Sequence, residues 1–566
     1  LTFSASLGLI PNYGQSGFNL DFEEEENGKP LVWFVNSSKC KIITDKIIKS
    51  NGKYSLSFDT STENDSLDYN KYCVCINVLP GSVLANKRLE IRAKVKSKID
   101  VGILGLWLAI DNANGEKSVV ESDTLTQKVS DWTELTARLD VGENPTGARF
   151  GLQFNGTGQV WIDDVVVVID GIEISERIMR EPDLDIIEKL KNYIIPLDNI
   201  LTDEGDELIY HLKQSKIVSI GENTHGILNN QTIRKDLSQI IANVEPIPSY
   251  NLILEYDKWG AKSLDRYYKE YFKDTTKIKE ILYTYGFWPF YTKGYLAGLS
   301  YVLSKKTFKD VVGCDIQHWN YAFAYLYDLS IKYPSININN ELDSIKTSLS
   351  IIRQVSFKAL SDAKLEENRQ IVISNLNEIE QKIDLNPILD QSENLEAISA
   401  LNHLKVNSQN NYITDRDSLM ANYIIESSKD DQKSIIYAHN EHIKNTGNSF
   451  GKKLKKIYGD KYLSIGITYI DGEYLFRSDR FEIDKIRPFK GTYEFILNKI
   501  SDSNYILDLN RLRQNDRNIL NPLLRFLNIG AGKRHNQFMW TNLTEDFDYL
   551  VVIKKAIPDE IIKNEP

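Results

Sequence analysis

Ser215-Lys216-Ile217-Val218-Ser219-Ile220-Gly221-Glu222-Asn223-Thr224-His225-Gly226 passes from an apolar run to a knot of ionisable and amide groups. Ile217 to Ile220 is too short and too β-branched for a helix, so it reads as a buried strand that Gly221 ends. The same succession recurs along the chain. NLILEYD (251–257) ends in Glu255-Tyr256-Asp257, and DVVGCDI (310–316) leads into Asp315-Ile316-Gln317. KSIIYAH (433–439) delivers His439-Asn440-Glu441-His442, and KYLSIGITYI (461–470) is a further apolar run. Segments such as DSIKTSLSIIRQVSF (343–357) and KLEENRQIVISNLNEIEQKI (364–383) between these runs carry helical spacing. Strands alternating with helices predict an α/β domain with a mostly parallel central sheet surrounded by helices. Function in such sheets gathers outside the carboxyl ends of the strands. Four ends that all carry polar groups predict one site.

Of seven histidines, His225, His439 and His442 fall in these clusters, and His211, His318, His403 and His535 do not. Beside Glu222 and Glu255 the three can bind and move a proton near neutral pH. A zinc centre is the alternative, with Glu222, His225, His439 and His442 supplying ligands and a base. The HNEH spacing is not that of helical zinc proteases. No GxSxG elbow follows a strand, and Ser219 lies within one, which disfavours a serine nucleophile.

In order, SKIVSIGENTHG with Arg234, NLILEYD, GCDIQ, DRDSLMANYI, IIYAHNEHI, FGKKLKKIYGDKYLSIG and FMWTNLTEDFDYLVV resemble the erythromycin esterase family, over residues 196–555. The resemblance implies hydrolysis of a carboxylic ester or lactone by water activated on a histidine, with no covalent intermediate and no cofactor. It implies His225 as general base, Glu222 to orient or polarise it, and Arg234 to steady an oxyanion. Glu255 follows as the acid after the second strand, and His439 and His442 as groups that bind substrate or relay a proton. Asp315, Gln317, Arg416 and Asn440 are implied to touch substrate or brace the site, while Asp415 or Asp417 caps the helix beginning at DSLMANYI. Two positions depart from the family pattern. Asn223 stands where alanine is common, and LAGLSYVLSKK (296–306) lacks the Trp and Arg carried there. A pocket differing from that for a macrolide is expected, and macrolide resistance stays an open question.

Residues 18–170 read otherwise. LEIRAKVKSKI, VGILGLWLAI, WTELTARLDV and QVWIDDVVVVI are short alternating runs, parted by Asn27-Gly28, Asn51-Gly52 and Asn114-Gly115. They predict an antiparallel β-sandwich. NLDFEEEENGKP and QVWIDDVVVV resemble the first and last strands of jelly-roll carbohydrate-binding modules, which implies that this domain binds a polysaccharide through exposed aromatics. Trp33, Trp107 and Trp132 are candidates, and each equally suits a core. Asp163-Asp164 suits either calcium or an exposed turn. Residues 171–195 read as a linker and an amphipathic helix, and 196–566 as the catalytic domain.

The 566 residues are 42% hydrophobic and 26% charged, with a formal net charge of -11. That composition supports a buried core in each domain, and the negative field opposes nucleic-acid binding. No apolar run is long enough to span a bilayer. Residues 1–17, apolar and rich in small side chains, read as the end of a secretory signal and predict a secreted, periplasmic or cell-envelope protein. A plain N-terminal strand would leave the cytoplasm as the alternative. Cys40 can bridge Cys73 or Cys75, or all three are half-buried thiols. A non-catalytic secreted glycan-binding protein is the reading from another class.

Overall fold

Alternation of apolar and polar residues builds the N-terminal unit. Strands β1 (Phe34–Asn36), β2 (Lys41–Asp45), β3 (Ser55–Asp59), β4 (Cys73–Pro80), β5 (Arg88–Asn112), β6 (Lys117–Glu121), β7 (Val129–Asp140) and β8 (Pro145–Ile169) pair antiparallel throughout. The computed structural model describes residues 19–562 apart from 24, 31–32, 37–39, 61–72, 82–83, 113–115, 123, 127, 174–183, 245–249, 272–274, 286, 305–307, 317, 358–361, 410–415, 430–431, 489–491, 518, 521–523 and 533–536. The segment read as a signal remnant, the Asn114-Gly115 turn, Gln317, Asp415 and His535 therefore lie outside the described residues.

β5 and β8, 25 residues each, serve two sheets. One half of each lies between β6 and β4, and the other half between β7 and β3. Gly102 pairs with Gly156 where the halves meet. Its φ is 129°, and a Cβ on it would stand 2.2 Å from the Asn155 carbonyl oxygen. The buried face changes parity there, from Leu89, Ile91, Ala93 and Val95 to Leu104, Leu106, Leu108 and Ile110. Both halves thus contribute to one apolar core with Phe58, Phe150 and Phe154, a sandwich. Trp33 belongs to that core, its Nε1–H donating to the Asn19 carbonyl at 2.9 Å. Trp107 and Trp132 are half-buried. Cys40 and Cys73 form a disulfide, and Cys75 is a buried thiol. Asp163 is buried rather than set in an exposed turn. It accepts the Ser50 N–H at 2.7 Å, and burial raises its carboxyl to about 6. Gly102→Ala is expected to destabilise the sandwich by about 1–3 kcal/mol through the strained φ. Denaturant unfolding followed in the intact chain will measure the loss.

The second unit begins with a short helix, Leu184–Leu190. Its sheet comprises β9 (Ile194–Pro196), β10 (Ile217–Ile220), β11 (Tyr250–Asp257), β12 (Phe308–Asp315), β13 (Lys433–Tyr437), β14 (Tyr462–Arg477), β15 (Phe481–Lys485), β16 (Tyr505–Asp508) and β17 (Tyr549–Ala556). The spatial order is β9-β16-β17-β14-β10-β13-β11-β12, with β15 paired to the outer part of β14. From β17 to β12 every neighbouring pair is parallel, while β9 and β16 pair antiparallel. The parallel strands are nearly continuous in buried apolar residues because helices cover both faces. The chain passes from β10 over α1 (Leu228–Val244) to β11, then to β12, and returns to place β13 between β10 and β11. That reversal opens a crevice at the carboxyl ends. The return path ends in the helix Arg416–Ser427, which carries Arg416, and before it runs through four helices, Asn320–Lys332, Asn339–Phe357, Asp362–Asp384 and Gln391–Gln409. They bury an apolar core of their own that includes Leu326, Ile345, Leu376 and Leu401.

Candidate active site

Four adjacent parallel strands end on one edge. β10 presents Glu222 and the loop to Gly226, β13 presents His439, β11 presents Glu255, and β12 presents Asp315. The loop after β10 is pinned by its backbone. The Asn223 carbonyl accepts N–H groups of Ile529 and Gly530, the Gly530 carbonyl accepts the His225 N–H, and the Gly226 carbonyl accepts the Leu475 N–H of β14.

Glu222 is almost sealed from solvent. Its Oε1 lies 2.8 Å from His225 Nδ1, and its Oε2 accepts Asn230 Nδ2 at 2.9 Å and faces Arg234 Nη1 at 3.2 Å. Burial pushes the carboxyl up, but Arg234 and His225 outweigh it, and the net shift is downward. An ionised carboxylate only accepts, so Nδ1 of His225 carries a proton and Nε2 is the ring nitrogen left without a partner among the described contacts. Arg234 is 2% exposed, donates from Nη2 to the Ala438 carbonyl and lies over the Tyr437 ring. It links Glu222 to the Ala438 carbonyl at the base of the site.

Glu255 gathers the other half of the site. Its Oε2 accepts the His439 backbone N–H at 2.6 Å; its Oε1 accepts Arg416 Nη2 at 2.9 Å and faces His442 Nε2 at 3.2 Å. Burial opposes ionisation, but His442 and Arg416 hold the carboxyl well below its usual range. Arg416 forks onto Asp315 at 2.9 and 2.8 Å. His442 Nδ1 meets Asp417 at 2.8 Å, and despite burial Glu255 and then Asp417 raise the imidazole to about 10. Both nitrogens of His442 donate, and it is a fixed cation.

His439 is the opposite case. Its Nε2–H donates to the Asn223 carbonyl at 3.0 Å, while Nδ1 accepts the Glu441 N–H at 3.3 Å. Burial, then His225, lower it to about 4, so it stays neutral. Its ring is 5.4 Å from that of His225. Both ring nitrogens of His439 and of His442 are engaged by groups of the protein. Asn440 spans the Ile467 backbone with both side-chain atoms, at 2.8 and 3.2 Å, and so braces the sheet.

Glu222, His225, Arg234, Glu255, Asp315, Arg416, His439 and His442 are thus brought together. Sequence reasoning missed Asn230, which also accepts Tyr469 Oη–H at 2.6 Å, and read Asp417 only as a helix cap. A buried polar side chain on α1, inside the Asn-Asn-Gln-Thr run, was the available signal. Four carboxylates (Glu222, Glu255, Asp315, Asp417) face three fixed cations (Arg234, Arg416, His442). A proton gained by His225 cancels the remaining charge.

Residues 305–556 match the family model described as erythromycin esterase. The C-terminal domain is erythromycin esterase-like. The matched span holds Asp315, Arg416, His439 and His442, and the geometry above joins to them Glu222, His225, Arg234 and Glu255, which precede it. The esterase-like chain is 26% identical over 170 residues to erythromycin esterase type II of Escherichia coli, covering 26% of this chain and 38% of the other. It is 30% identical over 107 residues to an uncharacterized HTH-type transcriptional regulator, YbfP, of Bacillus subtilis (strain 168), covering 17% and 36%. The chain therefore spans little more than a third of either curated relative. A crystal structure titled succinoglycan biosynthesis protein shares the fold at TM-score 0.52 and 17% identity, over 67% of this chain and 98% of that one.

The pKa shifts set a stability profile. His442, raised from 6.5, stabilises fully below that value and loses its contribution as pH rises towards about 10. His439, lowered from 6.5, stabilises above that value and loses its contribution as pH falls towards about 4. Thermal unfolding from pH 4 to 10 is expected to peak near pH 6–7. His442→Gln should lower the peak and flatten its alkaline side.

Proposed function

We propose that the esterase-like domain hydrolyses a carboxylic ester or lactone with water activated on His225. The observation that carries this reading is the imidazole pinned through Nδ1 to Glu222 with Nε2 unpartnered among the described contacts. Nε2 takes a proton from water as the water oxygen bonds to the ester carbon and the carbonyl π pair moves onto oxygen. The tetrahedral intermediate then expels the alkoxide, which takes the proton from Nε2, leaving acid and alcohol with no covalent enzyme intermediate. Imidazolium formation relieves the excess negative charge of the cluster, which favours the first step. Glu222 keeps the tautomer, and Arg234 and Asn230 keep Glu222. The match of residues 305–556 to the erythromycin esterase family model supports the ester as substrate class.

The zinc alternative needs several converging lone pairs, and His439 and His442 have both ring nitrogens engaged. The metal-free reading therefore stands as the proposal. For the sandwich we propose a polysaccharide partner on the sheet face where half-buried Trp107 pairs with Gly151 and Arg149 forks onto Asp111 at 2.8 and 2.7 Å. The Cys40–Cys73 disulfide supports a location outside the reducing cytoplasm. A glycan-borne ester joins the two domains in one substrate.

The test is turnover by the purified chain of aryl esters, acetylated glycans and macrolides, read by mass spectrometry with and without chelator. His225→Ala is expected to lower kcat/KM by about 10²–10⁴, with an unchanged unfolding temperature. Full activity in that variant would sink the mechanism, and loss of activity with chelator would establish the metal instead.

A further inference from the structure

Glu494 is fully buried in the short helix Tyr493–Leu497, behind the His225 loop, and the mechanism above makes no use of it. Its Oε1 accepts two hydrogen bonds, from the Thr468 hydroxyl at 2.6 Å and from the Leu527 backbone N–H at 3.0 Å. Its Oε2 is sealed with no hydrogen-bond partner. A carboxylate placed so would leave a charged oxygen uncompensated in an apolar interior, whereas a carboxylic acid leaves only a neutral one. Thr468 stands on β14 and in turn accepts Asn223 Nδ2 at 3.2 Å. Leu527 begins the stretch whose Ile529 and Gly530 N–H groups donate to the Asn223 carbonyl, and whose Gly530 carbonyl accepts the His225 N–H. The same Asn223 carbonyl accepts His439 Nε2–H. One carboxyl oxygen therefore ties together the two strands of backbone between which both site histidines are seated.

We propose that Glu494 is a positioning residue, held as a neutral carboxylic acid, that fixes Asn223 and residues 527–530 and through them the placement of His225 and His439. The assignment rests on His225 acting as the base only for its consequence on turnover; the positioning itself does not depend on it. Burial raises the Glu494 carboxyl to about 7 against the bonds from Thr468 and Leu527. The ionisable groups on the elements packed around it are Tyr493 on its own helix, Arg525 on the strand Arg525–Leu527, and Glu222 and His439 beyond Asn223. None of these is among the causes of the shift. A neutral acid is the form the site keeps up to that pH. Above it the carboxylate has a sealed, unpartnered Oε2, and the cost of that buried charge lowers the stability of the site.

Glu494→Gln keeps an oxygen for both donors and cannot ionise. Thr468→Val keeps the bond between Leu527 and Glu494 but removes both bonds of the hydroxyl, the one given to Glu494 and the one accepted from Asn223. Each is to be compared with wild type by hydrogen exchange at residues 223–230 and 527–530, by unfolding temperature from pH 5 to 8, and by hydrolysis of p-nitrophenyl acetate. A buried acid raised from 4.5 costs stability progressively as pH rises from that value through about 7. Glu494→Gln should therefore unfold at a temperature less dependent on pH than wild type across this window, with protection and kcat near those of wild type. Thr468→Val should speed exchange at 223–230 about tenfold and lower kcat by about 10²-fold through misplacement of the base, leaving KM within about threefold. An unchanged pH profile in Glu494→Gln overturns the neutral acid, and unchanged exchange in Thr468→Val overturns the positioning role. Should wild type turn over no ester, the hydrolase reading fails alone, because exchange and unfolding still decide this one.

Discussion

Two carboxylates kept ionised away from water set the terms for the rest of the site. Glu222 and Glu255 sit at the ends of β10 and β11, on either side of β13, where desolvation raises both carboxyls. Each is held charged by cations brought from elsewhere: Arg234 from α1 for the first, His442 from the turn after β13 and Arg416 from the return path for the second. The carboxylates then dictate the histidines. Glu222 selects the tautomer of His225, and Glu255 makes His442 a permanent cation and anchors the backbone of His439. Two histidines within one cluster thereby acquire opposite states, His442 charged and His439 neutral, and the third, His225, is oriented by Glu222. Only His225 keeps a ring nitrogen without a partner among the described contacts.

Much of this was legible in the sequence because strand ends are local. The runs at 217–220, 250–257, 308–315 and 433–437 each declare themselves by burial and stop at a polar residue. The rule that parallel strands gather function at their carboxyl ends is enough to assemble Glu222, Glu255, Asp315 and His439. The order β10-β13-β11-β12, with all four adjacent, is what turns a list of residues into a site. The sandwich was legible for a similar reason, since period-two alternation survives along β5 and β8 on either side of Gly102.

What could not be read were roles that depend on orientation. His439 and His442 lie three apart on a single turn, and spacing alone treats them alike. The Asn223 carbonyl takes one and the Glu255–Asp417 pair takes the other, and both partners come from other segments of the chain. Arg234 matched a site arginine but points at Glu222 and the Ala438 carbonyl. Asp417 looked like a cap because it opens a helix, and only the tertiary fold brings His442 to it. Asp163 read as half of a turn, whereas the Ser50 and Asn51 amides draw it inside. The four-helix insertion gave its helices but not its independence, because an apolar stripe does not say which neighbour it will face.

That independence has a consequence for divergence. The bundle meets the sheet at a sealed contact, His403 Nε2 at 3.2 Å from Asp257 Oδ2, two residues beyond Glu255. Its core also takes in Trp259, from the helix Lys258–Tyr271 that follows β11, which stacks on Tyr325 with ring centroids 5.0 Å apart. Substitutions among Leu326, Ile345, Leu376 and Leu401 can accumulate without disturbing any strand end, so long as His403 keeps its seat. The chain thus joins a reactive strand edge to a helical annex through the buried His403–Asp257 pair, the stacked Trp259–Tyr325 rings and the Arg266–Glu396 bridge, and change in the annex away from those seats leaves the edge in place.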